Sequence, residues 1–164
     1  MEVRLCTNDD LAALERDLST GLARVHEKHL HSARGPELDY LGAWDSEHVL
    51  GTAVILWQGM DDDSARERHY PMVPEIAHLQ VGPASRGEGV GTAPGRHSEQ
   101  LVRGAGYSSV VIAVSMDNDR AAKLYERLGY TPTGATVVSN YTWTDTEGVH
   151  HPERETNTVL ERLL

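Results

Sequence analysis

The feature that most constrains the fold is a segment in which a β-strand runs into a glycine-rich turn and then into a helix. The strand is predicted over Glu75–Val81, and the turn follows over residues 82–91. Glycines at positions 87, 89 and 91 let the backbone turn tightly and leave its N–H groups uncovered. A helix N-terminus adds unpaired donors and partial positive charge, and Arg86 adds a full charge. The segment therefore predicts an anion cradle sized for a pyrophosphate.

Two well-known nucleotide-binding turns fit this segment poorly. A Walker A loop requires a Gly-Lys-Ser/Thr sequence, which does not follow here. A dinucleotide fingerprint requires G-x-G-x-x-G and an acidic residue ~20 positions later at a strand end. The spacing here is G-x-G-x-G, and position 111 falls inside an apolar strand. Nucleotide or dinucleotide binding is thus the weaker hypothesis, and stabilisation by ATP or NAD would test it.

The pattern along the rest of the chain predicts a mixed α/β sheet of about seven strands with helices on both faces. The element order is β-α-α-β-β-β-α-β-α-β-β, in a single domain over residues 1–164. The strands are expected over residues 3–6, 38–44, 49–57, 75–81, 107–114, 136–143 and 155–163. Four helices are expected: one directly after the capping residues 7–10, one over 22–32, one from the glycine-rich turn to about residue 105, and one over 118–128. Residues 59–73 are polar and charged and predict an exposed excursion or a lid.

The helix over residues 118–128 is the most clearly marked in the sequence. Its apolar residues recur at i, i+3, i+4 and i+7, as on one face of a helix. Asp117 or Asn118 can cap its start, and Gly129 can adopt the left-handed conformation that ends a helix.

These two segments together resemble the GNAT family of acyl-CoA-dependent N-acetyltransferases. The family's R/Q-x-x-G-x-G/A motif is matched by Arg86, Gly89 and Gly91, and the preceding hydrophobic-x-Val-x-Pro element by Leu79, Val81 and Pro83. The later N-x-x-A-x-x-L-Y-E-x-x-G-aromatic motif is matched by Asn118, Ala121, Leu124, Tyr125, Glu126, Gly129 and Tyr130. The predicted element order also agrees with the family's fold, so the resemblance covers nearly the full chain.

The resemblance implies that the chain binds acetyl-CoA as its acyl donor, without a metal. The cofactor-binding residues it implies are Leu79, Val81, Arg86, Gly87, Glu88, Gly89, Val90, Gly91, Thr92, Asn118, Ala121 and Tyr125. The pyrophosphate is expected on the amides of the loop over residues 86–92, and the thioester carbonyl near the backbone N–H of Val81. The pantetheine arm is expected in a splay between the Glu75–Val81 strand and the strand from Tyr107 to Val114.

The resemblance also implies two catalytic residues. Glu75 stands where family members often carry a general base, and Tyr125 matches the tyrosine usually assigned as the acid to the CoA sulfur. A base near neutral pH would need a pKa raised by desolvation. Strand alternation puts Glu75, Leu79 and Val81 on one face. The alternatives stay open, because Glu75 could be solvated or paired with a cation, Tyr125 could be a core residue, and Asn118 could be only a helix cap.

The chain has nine histidines, which invite a metal hypothesis. The spacing of His26, His29 and His31 cannot put three ligands on one helical face, so a metal site is disfavoured. His78 lies opposite Glu75 in the alternation, which favours a packed or hydrogen-bonded side chain over a base.

Two positions depart from the family pattern. Pro94 and Gly95 stand where the family usually has apolar helix formers, and we expect the helix after the turn to start late or to kink. Glu88 places an anion beside the expected pyrophosphate. Both motivate an alternative hypothesis, a non-catalytic acyl-CoA-binding module.

The charge of the chain bears on its partners. The formal net charge is −10, which repels a phosphate backbone and disfavours nucleic-acid binding. We expect an acceptor with a primary amine on a cationic small molecule, attacked directly without an acyl-enzyme. A protein N-terminus or lysine is the alternative acceptor, and a homodimer is possible. The sequence shows neither a secretory leader nor a membrane span, and Cys6 is its single cysteine, so we expect a cytoplasmic protein.

Overall fold

The computed structural model describes residues 1–60, 73–86, 90, 92–145 and 147–164. In this part of the chain the strands are β1 (Glu2–Leu5), β2 (Leu38–Asp45), β3 (His48–Leu56), β4 (Glu75–Val81), β5 (Ser109–Ser115), β6 (Thr131–Thr144) and β7 (His150–Leu163). The α-helices are α1 (Leu11–Asp17), α2 (Val25–Ser32), α3 (Thr92–Gly104) and α4 (Asp119–Arg127). Short 3-10 helices span Asn8–Asp10, Gly21–Ala23 and Pro83–Ser85. The predicted order of strands and helices is confirmed.

Within the described residues the strands form one mixed, mostly antiparallel sheet in the order β1-β2-β3-β4-β5-β7-β6. The antiparallel ladder of β5 and β7 runs the full length of β5, from Ser109 opposite Leu163 to Ser115 opposite Asn157. The ladder of β4 with β5 is parallel, and its register is the single pair of Glu75 with Val111.

The chain divides into two compact units, of which the first comprises Met1–Ile55 and Ile76–Leu101. Consecutive residues of β4 contact different helices of this unit. The ring of His78 lies 4.9 Å from that of His29 in α2. A Cβ on Gly95 of α3 would lie 3.4 Å from Cδ1 of Leu79, so α3 packs against this residue of β4. Helices therefore cover both faces of β4, as predicted.

The second unit comprises Leu56–Glu75 and Val102–Leu164. Its buried cluster joins Met60 to Val111, Val137 and Val159, from three strands of the sheet. The prediction of a single domain over residues 1–164 stays a prediction, since each unit has its own internal packing.

The β6–β7 hairpin is longer than the sequence predicted. The two strands pair from Thr136 opposite Thr158 to Thr144 opposite His150, whereas β5 pairs with β7 only as far as Asn157. Residues 150–156 of β7 therefore pair with β6 alone in the described ladder. The sequence underestimated β7 because the polar and charged residues at the hairpin's tip do not show the apolar alternation of a half-buried strand. It missed residues 131–135 of β6, where Pro132 and a register shift between Pro132 and Thr136 interrupt the strand pattern.

Both ends of α4 are as predicted. The Oδ1 atom of Asn118 accepts a hydrogen bond from the backbone N–H of Ala121 at 3.1 Å, which caps the helix. Gly129 has a φ of +92° and follows the last helical turn, where a left-handed residue is favoured.

The expectation that Pro94 delays or kinks the helix after the turn is wrong. Helix α3 begins at Thr92, so Pro94 lies in its first turn. The first four N–H groups of a helix have no intrahelical partner, and a proline there loses no hydrogen bond. The backbone oxygen of Pro94 instead accepts from the hydroxyl of buried Ser98 at 2.9 Å.

The excursion over residues 59–73 lies largely outside the described residues, since positions 61–72 are not among them. Across the part of the chain that is described, no helix is long and apolar enough to cross a membrane.

Candidate active site

Glu75 is fixed by backbone contacts at the start of β4. It pairs with Val111 in the register, and the carbonyl of Pro74 accepts a hydrogen bond from the N–H of Val111 at 3.0 Å. Its side chain is buried, with 6% of the residue exposed. The alternative of a solvated glutamate is therefore excluded, and the desolvation that the base hypothesis requires is present.

The sheet register shows which face carries Glu75. Residues paired across a ladder point to the same face, so Glu75 shares a face with Val111. Val111 packs in the buried cluster with Val137 and Val159. The buried carboxylate thus lies on the same face of the sheet as the core of the second unit.

Tyr125 lies on the buried face of α4. Its ring meets that of Tyr130 edge to face, with 5.7 Å between the ring centroids. Burial raises the pKa of the Tyr125 phenol above its ordinary value, so the hydroxyl keeps its proton at neutral pH. The core interpretation of this residue is confirmed, and a protonated phenol is also the state that an acid requires.

Asn118 and Ala121 stand at the N-terminus of α4. Asn118 is exposed and serves as the helix cap, which uses its Oδ1 atom. The capping interpretation is therefore right, and the side-chain NH₂ group is the donor that the cap does not use. Ala121 is half-buried.

The loop after β4 is described at its two ends. Leu79 and Val81 are half-buried, and the exposed Arg86 donates from Nε to the carbonyl of Val81 at 3.3 Å. Val90 is buried and Thr92 is the first residue of α3. Gly87, Glu88, Gly89 and Gly91 lie outside the described residues. The exposed cation and the helix start at Thr92 suit a bound anion.

His78 is a feature that sequence reasoning missed. Its φ is +49°, a left-handed conformation inside β4 at a residue other than glycine. Such conformations are uncommon for non-glycine residues and occur often at functional sites. The period-2 alternation of strand residues predicted which face His78 occupies, but it carries no signal for a backbone distortion. Its ring packs against His29, as the packed-histidine prediction expected.

The remaining histidines of α2 lie in different environments. His26 is buried and its Nε2 atom is hydrogen-bonded to the carbonyl of Leu18 at 2.7 Å, whereas His31 is exposed. In the described ranges, no group of three or more His, Cys, Asp or Glu side chains could hold a metal ion.

The second unit thus carries a buried carboxylate, which can take a proton, and a buried protonated phenol, which can give one. The model of the acetyltransferase (GNAT) family matches residues 8–130. The chain belongs to this family. N-acetyltransferase 8 of Mus musculus is 32% identical over 129 residues, which is 77% of this chain and 52% of that protein. The chain spans about half or less of the length of the first curated relatives it matches.

Solved structures share this fold at low sequence identity. A putative acetyltransferase from Salmonella typhimurium, solved with its cofactor acetyl-CoA, has a TM-score of 0.68 at 18% identity. The match covers 100% of this chain and 94% of that chain. An aminoglycoside 6'-N-acetyltransferase complexed with coenzyme A has a TM-score of 0.63 at 14% identity, over 99% of this chain and 97% of that chain.

Proposed function

We propose that this GNAT-family chain transfers the acetyl group of acetyl-CoA directly to a primary amine of a cationic small molecule. The observation that carries the proposal is the pair of buried groups in the second unit, the Glu75 carboxylate and the Tyr125 phenol. Direct transfer needs one group that removes a proton from the acceptor and one that protonates the leaving thiolate.

Glu75 is the proposed base. An ammonium acceptor has no free electron pair, so it must lose a proton to the carboxylate, directly or through a water, before it can attack. The amine nitrogen then bonds to the carbonyl carbon of the thioester, and the carbon–sulfur bond breaks with its electron pair on sulfur. The nitrogen releases its second proton to solvent as the amide forms. Burial of Glu75 supports this role, because it holds the carboxylate out of bulk water at the start of β4.

Tyr125 is the proposed acid. Its proton passes to the departing CoA thiolate, and the phenol is restored from solvent. The phenol is protonated at neutral pH, which is the state that a proton donor requires. No acyl-enzyme is needed, and Cys6 is a poor nucleophile because burial raises the pKa of its thiol to about 12.

Acetyl-CoA is the proposed donor in this reaction. Arg86 and the N-terminus of α3 at Thr92 are the proposed contacts for its pyrophosphate, with the loop residues from Gly87 to Gly91. Leu79 and Val81 of β4 are the proposed neighbours of the acyl end. Asn118, Ala121 and Tyr125 are proposed to contact the pantetheine arm, for which the NH₂ group of Asn118 is a suitable donor.

The proposed acceptor is cationic because the chain is acidic. A net charge of −10 attracts cations over long range and increases their rate of encounter. The fold likeness to an aminoglycoside acetyltransferase agrees with such an acceptor. The same charge disfavours nucleic acid, and we keep a cytoplasmic location as part of this proposal.

The test combines binding and turnover in single variants. Glu75→Gln and Tyr125→Phe should each lower kcat by about 100-fold, the usual range for one acid or base. Both variants should still be stabilised by acetyl-CoA in thermal unfolding, because neither change removes a pyrophosphate contact. Turnover is measured by thiol release with a panel of polyamines, amino sugars and N-terminal peptides.

Two matched variants control for packing. Glu99→Gln changes another buried glutamate, and Tyr130→Phe keeps the aromatic ring that packs against Tyr125. Each control should keep the wild-type kcat within a few-fold. Equal turnover in Glu75→Gln and the wild type would reject Glu75 as the base. Acetyl-CoA binding without turnover on any amine would favour the non-catalytic module, and turnover on peptides alone would favour the protein acceptor.

A homodimer stays a proposal as well. Strand β6 is an edge of the described sheet, and edge strands have free backbone groups that can pair with a second copy. Light scattering after size exclusion separates a mass of 18.1 kDa from its double.

A further inference from the structure

The β6–β7 hairpin has one face that differs chemically from the other. Cross-strand partners point to the same face, and residues two apart along a strand do as well. Tyr141 pairs with Glu153, Trp143 pairs with His151, and Glu155 stands two residues beyond Glu153. These five side chains therefore lie together on one face, called here the aromatic–acidic face.

The opposite face of the same hairpin has a different composition. It carries Asn140 opposite Arg154, Thr142 opposite Pro152 and Thr144 opposite His150. The hairpin thus places three rings and two carboxylates on one face, and the arginine on the other.

The aromatic–acidic face is open to solvent. Tyr141 is 47% exposed and Trp143 is 43% exposed, which is unusual for large aromatic residues. The indole of Trp143 stacks on the ring of His151, with 4.4 Å between centroids, and His151 is in turn bonded to Asp145 at 2.8 Å. The stack fixes one side of the indole and leaves the other side available.

The electrostatics of the face favour a cation. The pKa of the Tyr141 phenol is raised by desolvation and by the nearby charges of Glu155 and Glu153. The carboxylates therefore lie close enough to the ring to act on it. Ammonium groups bind both carboxylates and the faces of aromatic rings, so rings and carboxylates together select an amine cation.

The spacing of the carboxylates indicates more than one ammonium group. Residues two apart on a strand are ~7 Å apart along it. Two ammonium groups joined by an extended four-carbon chain have a similar separation. The methylene groups between them can lie on the exposed rings of Tyr141 and Trp143.

The aromatic–acidic face lies on the same side of the sheet as Glu75. The register carries this face from Glu153 and Glu155 through Asn157 to Val159, which packs with Val111, the partner of Glu75. We propose that the aromatic–acidic face recognises a linear oligoamine as the acetyl acceptor. This inference rests on the proposed function and names its substrate class.

A second copy of the chain is a poorer occupant of this face. Two copies that met through it symmetrically would bring Glu153 and Glu155 of each copy together, and like charges repel. The exposed ends of an oligoamine carry the opposite charge.

The test measures spermine binding without acetyl-CoA. In two-dimensional NMR, spermine should shift the amide signals of residues 139–155 and the indole N–H of Trp143. The double variant Glu153→Gln/Glu155→Gln should weaken the spermine Kd by roughly tenfold, because exposed ion pairs and cation–π contacts are each modest. Trp143→Ala should weaken it by roughly threefold, and 1-aminobutane at equal ionic strength should bind more weakly than spermine.

Three controls separate local recognition from net charge and folding. Glu37→Gln/Glu47→Gln removes two exposed charges elsewhere and should leave the Kd unchanged. Arg154→Gln on the opposite hairpin face should leave it unchanged or tighten it. Circular dichroism checks that each variant is folded.

Four outcomes overturn the inference. These are shifts outside the hairpin only, equal weakening by both double variants, binding of a lysine-rich peptide but not spermine, and self-association through the hairpin. The proposed function is judged separately, by thiol release with other amines. Turnover on an amino sugar without spermine binding would reject this inference and leave the proposed function standing.

Discussion

Two histidines that contact other rings, His29 and His151, lie in contrasting environments. His29 lies between Tyr40 and His78, with ring centroids 5.2 Å and 4.9 Å away, and its buried Nε2 atom has no hydrogen-bond partner among the described residues. His151 stacks on Trp143 at the surface, and its Nε2 atom is bonded to Asp145.

The comparison shows that contact with another ring does not by itself determine what a histidine does. Burial, aided by the neighbouring His78 and His26, lowers the pKa of His29 to about 4, so this ring is neutral at neutral pH and serves packing. At the hairpin, solvent and a carboxylate surround the ring, and the pKa of Asp145 is lowered first by its bond to His151. The two rings differ in the surroundings of the Nε2 atom, which has no hydrogen-bond partner among the described residues in His29 and is bonded to Asp145 in His151.

The largest expected effect comes from the fully bonded neighbour of His29. His26 is 1% exposed, and its two ring nitrogens are bonded to the hydroxyl of Tyr40 and the carbonyl of Leu18. His26→Ala removes one hydrogen bond from each of these two groups and opens a cavity, so we expect a loss of about 3 kcal/mol in the free energy of unfolding. Urea denaturation at pH 7 measures it.

His29→Phe is the matched variant for that experiment. It keeps the ring contacts with Tyr40 and His78 but removes a nitrogen that has no partner, so we expect little loss at pH 7. An equal loss in both variants would mean that ring volume, and not hydrogen bonding, holds the interior cluster together.

The second prediction concerns acid. The folded pKa of His29 is lowered from 6.5 to about 4, so the unfolded chain binds the proton more tightly than the folded chain. The stability that follows is present above pH 6.5 and is lost as the pH falls towards 4, by up to about 3 kcal/mol. His29→Phe should flatten this part of the profile, whereas His31→Gln, on the exposed side of α2, should not. A profile as steep in His29→Phe as in the wild type would assign the loss to other groups.

Features that depend on one residue or on a short local pattern could be predicted from the sequence. Asn118 and Gly129 set the ends of α4, because a side-chain cap and a positive φ are decided by single residues. Glu75–Val81 was predicted at its observed bounds from apolar alternation. Pro94 was misjudged because its cost depends on its position in the helix, and one residue separates a harmless first turn from a kink.

The candidate site was less predictable. The burial of Glu75 depends on its pairing with Val111, which is 36 positions away in sequence, and alternation gives only its face. The positive φ of His78 and its contact with His29 arise from tertiary packing, for which a single sequence carries no signal. The aromatic–acidic face required the register of β6 and β7, since a slip of one residue would place Tyr141 and Glu153 on opposite faces.

The smallest expected effect is at the surface histidine. Asp145 accepts hydrogen bonds from the backbone N–H groups of Glu147 and Val149 as well as from His151. Asp145→Ala should release the His151 ring from its stack on Trp143 and speed hydrogen exchange at the hairpin tip. The midpoint of thermal unfolding should fall less than in His26→Ala, because exposed contacts contribute little to global stability.

The effect of Asp145→Ala on exchange at the hairpin tip should depend on pH only in the acid range. The lowered pKa of Asp145 means that its bonds stabilise the hairpin above the ordinary aspartate range and are lost as the pH falls through the folded value. Exchange at the tip should therefore differ between the variant and the wild type at pH 7 and converge in strong acid. Glu147→Ala, in the same turn, keeps the backbone donor and should match the wild type throughout. If Asp145→Ala instead matched the wild type at pH 7, the stack of His151 on Trp143 would not depend on the Asp145 carboxylate. The contrast between His151 and His29 would then be one of burial alone.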